Sequence, residues 1–170
     1  MQELNRHSVE SFKNVEKFPV VLVLDNIRSL NNVGSAFRTG DAFKIEKICL
    51  CGITGKPPHR DINKTALGAT DSVIWEHYPT TENAVNILLE RGYKLIAVEQ
   101  TENATQLHEF VIEKNKKYAF IFGNEVFGVE DGILEKCEKS LEIPQFGTKH
   151  SLNISVSIGI ILWNYVKEVY

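Results

Sequence analysis

The run Val20-Val21-Leu22-Val23-Leu24 passes directly into Asp25-Asn26-Ile27-Arg28-Ser29-Leu30-Asn31-Asn32-Val33-Gly34-Ser35-Ala36-Phe37-Arg38. The first part, preceded by Pro19, is continuous and apolar, as a strand buried on both faces must be. In the second part Asn31 or Asn32 can cap a helix over residues 33–43. Val33, Ala36, Phe37, Gly40 and Phe43 would form its apolar stripe. The same change of period recurs along the chain. Residues 48–51, 73–77, 94–98, 118–122 and 141–143 read as strands. Residues 62–67, from Thr80 or Thr81 to Arg91, 132–138 and 155–170 read as helices. Strands alternating with helices predict an α/β fold, a mostly parallel sheet with helices on both faces. Residues 1–18 read as a polar, partly helical lead-in, and no linker divides residues 1–170 into two domains.

Composition narrows the function classes. The 170 residues are 43% hydrophobic and 24% charged, which suits a globular chain and excludes a disordered or fibrous one. A formal charge of −3 excludes a uniformly basic surface, so any nucleic-acid contact must use local positive charge. Cys49, Cys51 and Cys137 are an odd number of thiols in apolar settings and read as reduced core residues. Residues 1–17 are polar, and the serine-broken apolar stretch 154–163 is about half a membrane span, so the expectation is a soluble, cytoplasmic protein. That stretch is apolar on nearly every side of a helix. It therefore needs cover from the monomer core or from a second subunit.

Three polar, glycine-bearing loops follow strands. In open α/β sheets that edge binds ligands, and a helix N-terminus there attracts anions. The first is Asp25 to Arg38, where Arg38 can present a planar fork to a phosphate or remain a surface residue. The second, Phe122-Gly123-Asn124-Glu125-Val126-Phe127-Gly128, lets backbone approach a ligand and offers Glu125 to orient a polar partner; a plain strand-to-helix turn explains it too. The third, Ile143-Pro144-Gln145-Phe146-Gly147-Thr148-Lys149-His150-Ser151-Leu152-Asn153-Ile154-Ser155, carries Ser151 and Asn153, which simple capping would also explain. His150 beside Ser151 in sequence does not make a hydrolytic triad. Neither a G-x-x-x-x-G-K-[ST] loop nor a G-x-G-x-x-G fingerprint is present, and no His/Cys/Asp cluster has metal-ligand spacing.

Asn32-x-Gly34-x-x-x-Arg38, Phe122-Gly123-Asn124-Glu125-x-x-Gly128 and Ile143-Pro144-x-x-Gly147-x-x-x-Ser151-Leu152-Asn153-Ile154-Ser155-Val156 together resemble, in order, the three motifs of the SpoU/TrmH family of RNA ribose 2′-O-methyltransferases. The likeness covers residues 20–170, and Lys64-Thr65-Ala66-Leu67-Gly68-Ala69 also resembles a stretch common between the first two motifs. Gln145 and Ser157 depart mildly from the pattern, standing where Met and Ala are frequent. The resemblance implies a C-terminal trefoil knot, a homodimer with its site at the subunit interface, and S-adenosylmethionine as cofactor, bound by Gly123, Ile143 and Leu152. It implies no metal. It places Arg38 in catalysis, with Asn32, Glu125, Ser151 and Asn153 orienting the arginine, the target ribose or the cofactor. It makes Arg38 the base, whereas charge chemistry makes a guanidinium a phosphate anchor and electrostatic activator. Both readings stay open. With no basic extension to grip transfer or ribosomal RNA, Arg28, Lys44, Lys56, Arg60, Lys64 and Lys149 are the candidate RNA contacts. The alternative is an RNA-binding member of the same fold without catalysis.

Overall fold

Strand β1 (Phe18–Asp25) is buried from Val20 onward, and β2 (Ile45–Cys51) and β6 (Lys117–Phe122) are nearly as apolar. Strands of that kind need helices on both faces, which is the setting of parallel sheets. The computed structural model, which describes residues 7–170, builds them into a seven-stranded sheet. With β3 (Trp75–Tyr78), β4 (Tyr93–Val98), β5 (Thr105–Gln106) and β7 (Lys139–Glu142), the order is β3-β2-β1-β6-β4-β7-β5. Every pairing is parallel.

Alternation along β1 separates two cores. Val20, Leu22 and Leu24 face helices α2 (Leu30–Ala42), α3 (Arg60–Ala66) and α6 (Ile154–Val169). Val21 and Val23 face α4 (Thr81–Glu90) and α5 (Asp131–Leu134), in a layer that holds Cys49 and Cys51. Burial pushes the Cys49 thiol up to about 12, so it packs as an inert apolar group. A short helix, α1 (Val9–Asn14), precedes the sheet and lies within the expected lead-in.

Several boundaries differ from the sequence expectation for local reasons. Helix α2 starts at Leu30 with Ser29 as its cap, since the Ser29 hydroxyl already accepts the Asn32 amide at 3.3 Å. Helix α5 stops at Leu134 instead of running to 138. Beyond it the chain tightens into turns, and the Glu138 amide is captured by the Leu95 carbonyl at the sheet. Strand β3 begins at Trp75, because the Val73 amide closes a helical turn back to Ala69. Strand β5 has two residues, too few to leave a periodic signal. Helix α6 buries one face, Ile158, Ile161, Leu162 and Tyr165, but leaves Val156 and Trp163 about half exposed, at 48% and 58%. Among the described residues, no helix is long and apolar enough to cross a membrane.

The strand order creates the site's location. The chain builds from β1 outward to β2 and β3, then crosses to the far side, where β6 lies directly against β1. The loops leaving β1 and β6 therefore diverge from adjacent strand ends, the place where α/β sheets open a ligand crevice.

Helix α2 reaches its position only because Gly34 lets α3 come close. A Cβ there would lie 2.1 Å from Thr65 Oγ1 and 2.2 Å from the Ile62 carbonyl oxygen. Gly34→Ala is expected to lower stability by about 2 kcal/mol, as an overpacked contact does. Urea denaturation checks this, and an unchanged midpoint would show that the helices do not meet at Gly34.

Candidate active site

Asn26 turns the chain at the end of β1 in a left-handed conformation, with φ of 54°. Asparagine tolerates that region better than most residues. Its side-chain oxygen accepts the Ile53 amide at 3.1 Å. Buried Thr54 accepts the Ile27 amide and donates to the Leu24 carbonyl oxygen, both at 2.9 Å. The β1 loop is thus pinned to the loop after β2 before α2 begins.

Glu125 closes the same loop from the opposite side. One carboxylate oxygen accepts the Arg28 amide at 3.0 Å; the other accepts the Ser29 amide at 3.1 Å and the Asn32 side-chain amide at 3.4 Å. A carboxylate from a distant loop therefore satisfies donors at the start of α2, where the helix dipole favours negative charge. Partial burial works against the charged form, but the hydrogen bonds outweigh it and hold the Glu125 carboxyl below its usual range.

The β6 loop is folded on itself by a bridge between Asn124 and Gly128. Asn124 donates to the Asn26 carbonyl oxygen at 2.7 Å and accepts the Val126 and Phe127 amides. Gly123 is required here: a Cβ would lie 2.2 Å from the Gly128 carbonyl carbon. Glu99, just past β4, accepts the Val129 amide at 3.2 Å and so ties the β4 end to the β6 loop. After β7 the chain crosses this edge, and Asn153 caps α6 by accepting the Ser155 amide at 2.8 Å.

These loops enclose a cleft of about 560 Å³. Asn32, Gly123, Glu125, Ile143, Ser151, Leu152 and Asn153 all line it, so seven expected site residues converge. Arg38 does not line it; it is exposed on α2, about one and a half turns beyond Asn32. Among the candidate RNA contacts, Arg28 and Lys149 lie in the loops at the cleft's edge, while Lys56, Arg60 and Lys64 are exposed around the start of α3. Lys44 precedes β2, at the opposite end of the parallel sheet, with its ammonium 5.2 Å above the Phe18 ring. The structure does not bring it to the others.

Glu99, Glu142 and Asn26 were not singled out from sequence, and Asn124 stood in the second motif without a role, although Glu99 and Glu142 line the cleft and the two asparagines hold its loops. A signal existed for all four. Asn26, Glu99, Asn124 and Glu142 sit at or just beyond the C-terminal ends of strands, where site residues of α/β sheets gather. The cleft suits a ligand with an apolar body and positive charge: Val98, Leu141, Ile143 and Leu152 supply apolar walls, and Glu99, Glu125 and Glu142 supply negative charge without a lysine or arginine among the described lining residues.

The model of the SpoU rRNA Methylase family matches residues 19–163. This chain belongs to that family. It is 28% identical over 166 residues to the tRNA (guanosine(18)-2′-O)-methyltransferase of Thermus thermophilus, covering 98% of this chain and 84% of that one. It is 27% identical over 156 residues to the 23S rRNA (guanosine-2′-O-)-methyltransferase RlmB of Neisseria meningitidis, spanning 92% of this chain but 61% of that enzyme. The fold matches the AdoMet-bound rRNA methyltransferase of Sinorhizobium meliloti with a TM-score of 0.84 at 22% identity, over 94% of this chain and 60% of that one. Among the described residues of this SpoU-family chain, no group of three or more His, Cys, Asp or Glu side chains is placed to hold a metal ion.

Because the folded Glu125 pKa is depressed, its stabilising contribution is present above the ordinary carboxylate range and is lost as pH falls through the folded value. Glu125→Gln is expected to lower stability at neutral pH by about 1 kcal/mol, the scale of a helix cap. The gap between variant and parent should close below pH 4.5, the ordinary glutamate value. Urea midpoints for both proteins across that range check it.

Proposed function

We propose that this chain is an S-adenosylmethionine-dependent RNA methyltransferase acting on a ribose 2′-hydroxyl of transfer or ribosomal RNA. The observation that carries the reading is the convergence of all three motif loops on one cleft, joined by the Glu125 carboxylate. The Thermus thermophilus and Neisseria meningitidis enzymes named above act at guanosine 2′-oxygens, which supports the same reaction here.

The cleft fits the cofactor. Its size falls in the range of small-molecule sites, its walls offer apolar and backbone surface, and its carboxylates suit a cationic sulfonium. Gly123, Ile143 and Leu152 would hold it. When bound, S-adenosylmethionine supplies the electrophilic methyl carbon. The protein's task is then to bring a ribose oxygen in line and to manage the proton that oxygen loses. Glu125, already accepting the Arg28 and Ser29 amides ahead of α2, acts by holding Asn32 and the β1 loop in place. Ser151 and Asn153 lie across the cleft as orienting groups for ribose or cofactor.

Three carboxylates in the cleft repel phosphates, so the RNA backbone would pass outside it, along Arg28 and Lys149. Arg38 lies off the cleft on the helix that packs against α6. The half-exposed Val156 and Trp163 on α6 favour pairing with a second copy, and Arg38 would complete a site shared between two subunits. The C-terminal knot implied by the motifs belongs to this reading, as does a cytoplasmic setting beside its RNA substrates.

Labelled S-adenosylmethionine with unmodified transfer RNA or ribosomal RNA should give alkali-resistant methylation at one nucleotide. Arg38→Ala is expected to keep the fold and cofactor affinity and to lose turnover by about two orders of magnitude or more. Near-normal turnover would remove Arg38 from the mechanism, and cofactor binding without methylation of any RNA would favour the RNA-binding alternative.

A further inference from the structure

A second cavity, of about 400 Å³, lies on the β3 edge of the sheet, and none of its lining residues lines the first cleft. Pro57 and Pro58 and the half-buried Trp75 give it flat apolar surfaces, while Asn63, Thr70 and Asp71 give it polar ones. Among the described residues the side chains of Asn63 and Asp71 make no hydrogen bond or ion pair to the protein, so their donors and acceptors are free for a ligand. Lys56, Arg60 and Lys64 stand within two residues of the lining residues Pro57, Pro58 and Asn63; all three are exposed and none is ion-paired to a described carboxylate. Leu67, beside lining residue Gly68, adopts a left-handed backbone with φ of 49° and leaves its side chain 66% exposed. It is the C-cap that ends α3, its amide donating to the Asn63 carbonyl oxygen at 3.1 Å.

The combination is that of a single-stranded nucleic-acid subsite: a flat aromatic on which a base can stack, with cations alongside for phosphates. Asp71 then selects the base. A carboxylate facing a polyanion is repulsive unless it accepts hydrogen bonds from the base it meets. Guanine alone presents two adjacent donors, N1–H and the N2 amino group, on its Watson–Crick edge, and a carboxylate accepts both. From Trp75, Asp71 and the three uncommitted cations we infer a guanine-binding subsite at the β3 edge, remote from the methyl-transfer cleft. It would hold an unpaired guanosine of the RNA substrate. The inference rests on the reading of the chain as an RNA enzyme, but its test does not depend on turnover.

The probe is a short fluorescein-labelled single-stranded RNA carrying one guanosine among adenosines, compared by anisotropy with the same strand carrying inosine, which lacks the N2 amino group. The intact protein should bind the guanosine strand about tenfold more tightly, the loss expected when a hydrogen bond to a charged group is missing. Asp71→Asn should erase that preference, and Trp75→Leu should weaken both strands together. Equal affinity for the two strands, or a preference that survives Asp71→Asn, overturns the subsite. S-adenosylmethionine affinity in each variant, expected to match the parent, reports that the fold is intact. A guanosine preference that depends on Asp71, in a protein that methylates no RNA, would overturn the enzymatic reading and keep the subsite.

Discussion

The carboxylate of Glu125 joins two loops that are far apart in sequence and close only because β6 lies against β1. It accepts the Arg28 and Ser29 amides ahead of α2 and the side chain of Asn32 in its first turn. Free amides at a helix start attract whatever anion is nearest. Here the protein itself supplies the anion for the two amides that precede α2. The β1 loop is then rigid, and Asn32 is fixed where it lines the cleft. The rest of the site follows: Asn124 ties the β6 loop to Asn26, Glu99 ties β4 to it, and the crossing after β7 closes the remaining side.

Charge placement gives the site its division of labour. Carboxylates line the cleft, while positive side chains stand outside it, at Arg28 and Lys149 and around the start of α3. A cationic methyl donor and a polyanionic acceptor can thus be received by neighbouring surfaces of opposite sign without a strongly basic protein. The formal charge of −3 is compatible with RNA work on those terms.

Most of the fold was legible because strands buried on both faces leave continuous apolar runs, and β1, β2 and β6 are such runs. Short elements were not: β5 and α5 owe their limits to partners in the sheet and to turns, which no local pattern records. Seven of the motif residues meet at the cleft, but their local roles were only partly readable. Asn153 caps α6, as simple capping suggested; Asn32 looked like a helix cap, and Ser29 is the cap; Glu125, read as able to orient a polar partner, holds Asn32 and also two backbone amides. Glu99 carried no motif at all, since its importance comes from where β4 ends. Lys44 shows the converse failure: composition gives a charge but not the end of the sheet on which it stands.

On this reading the loops after β6 and β7 form one cofactor cleft beside the β1 loop, and amide hydrogen exchange with and without S-adenosylmethionine tests it most directly. Slowed exchange is predicted together in residues 122–129 and 141–154, with none at 57–75. Protection absent from the first two segments, or confined to the third, would contradict the account.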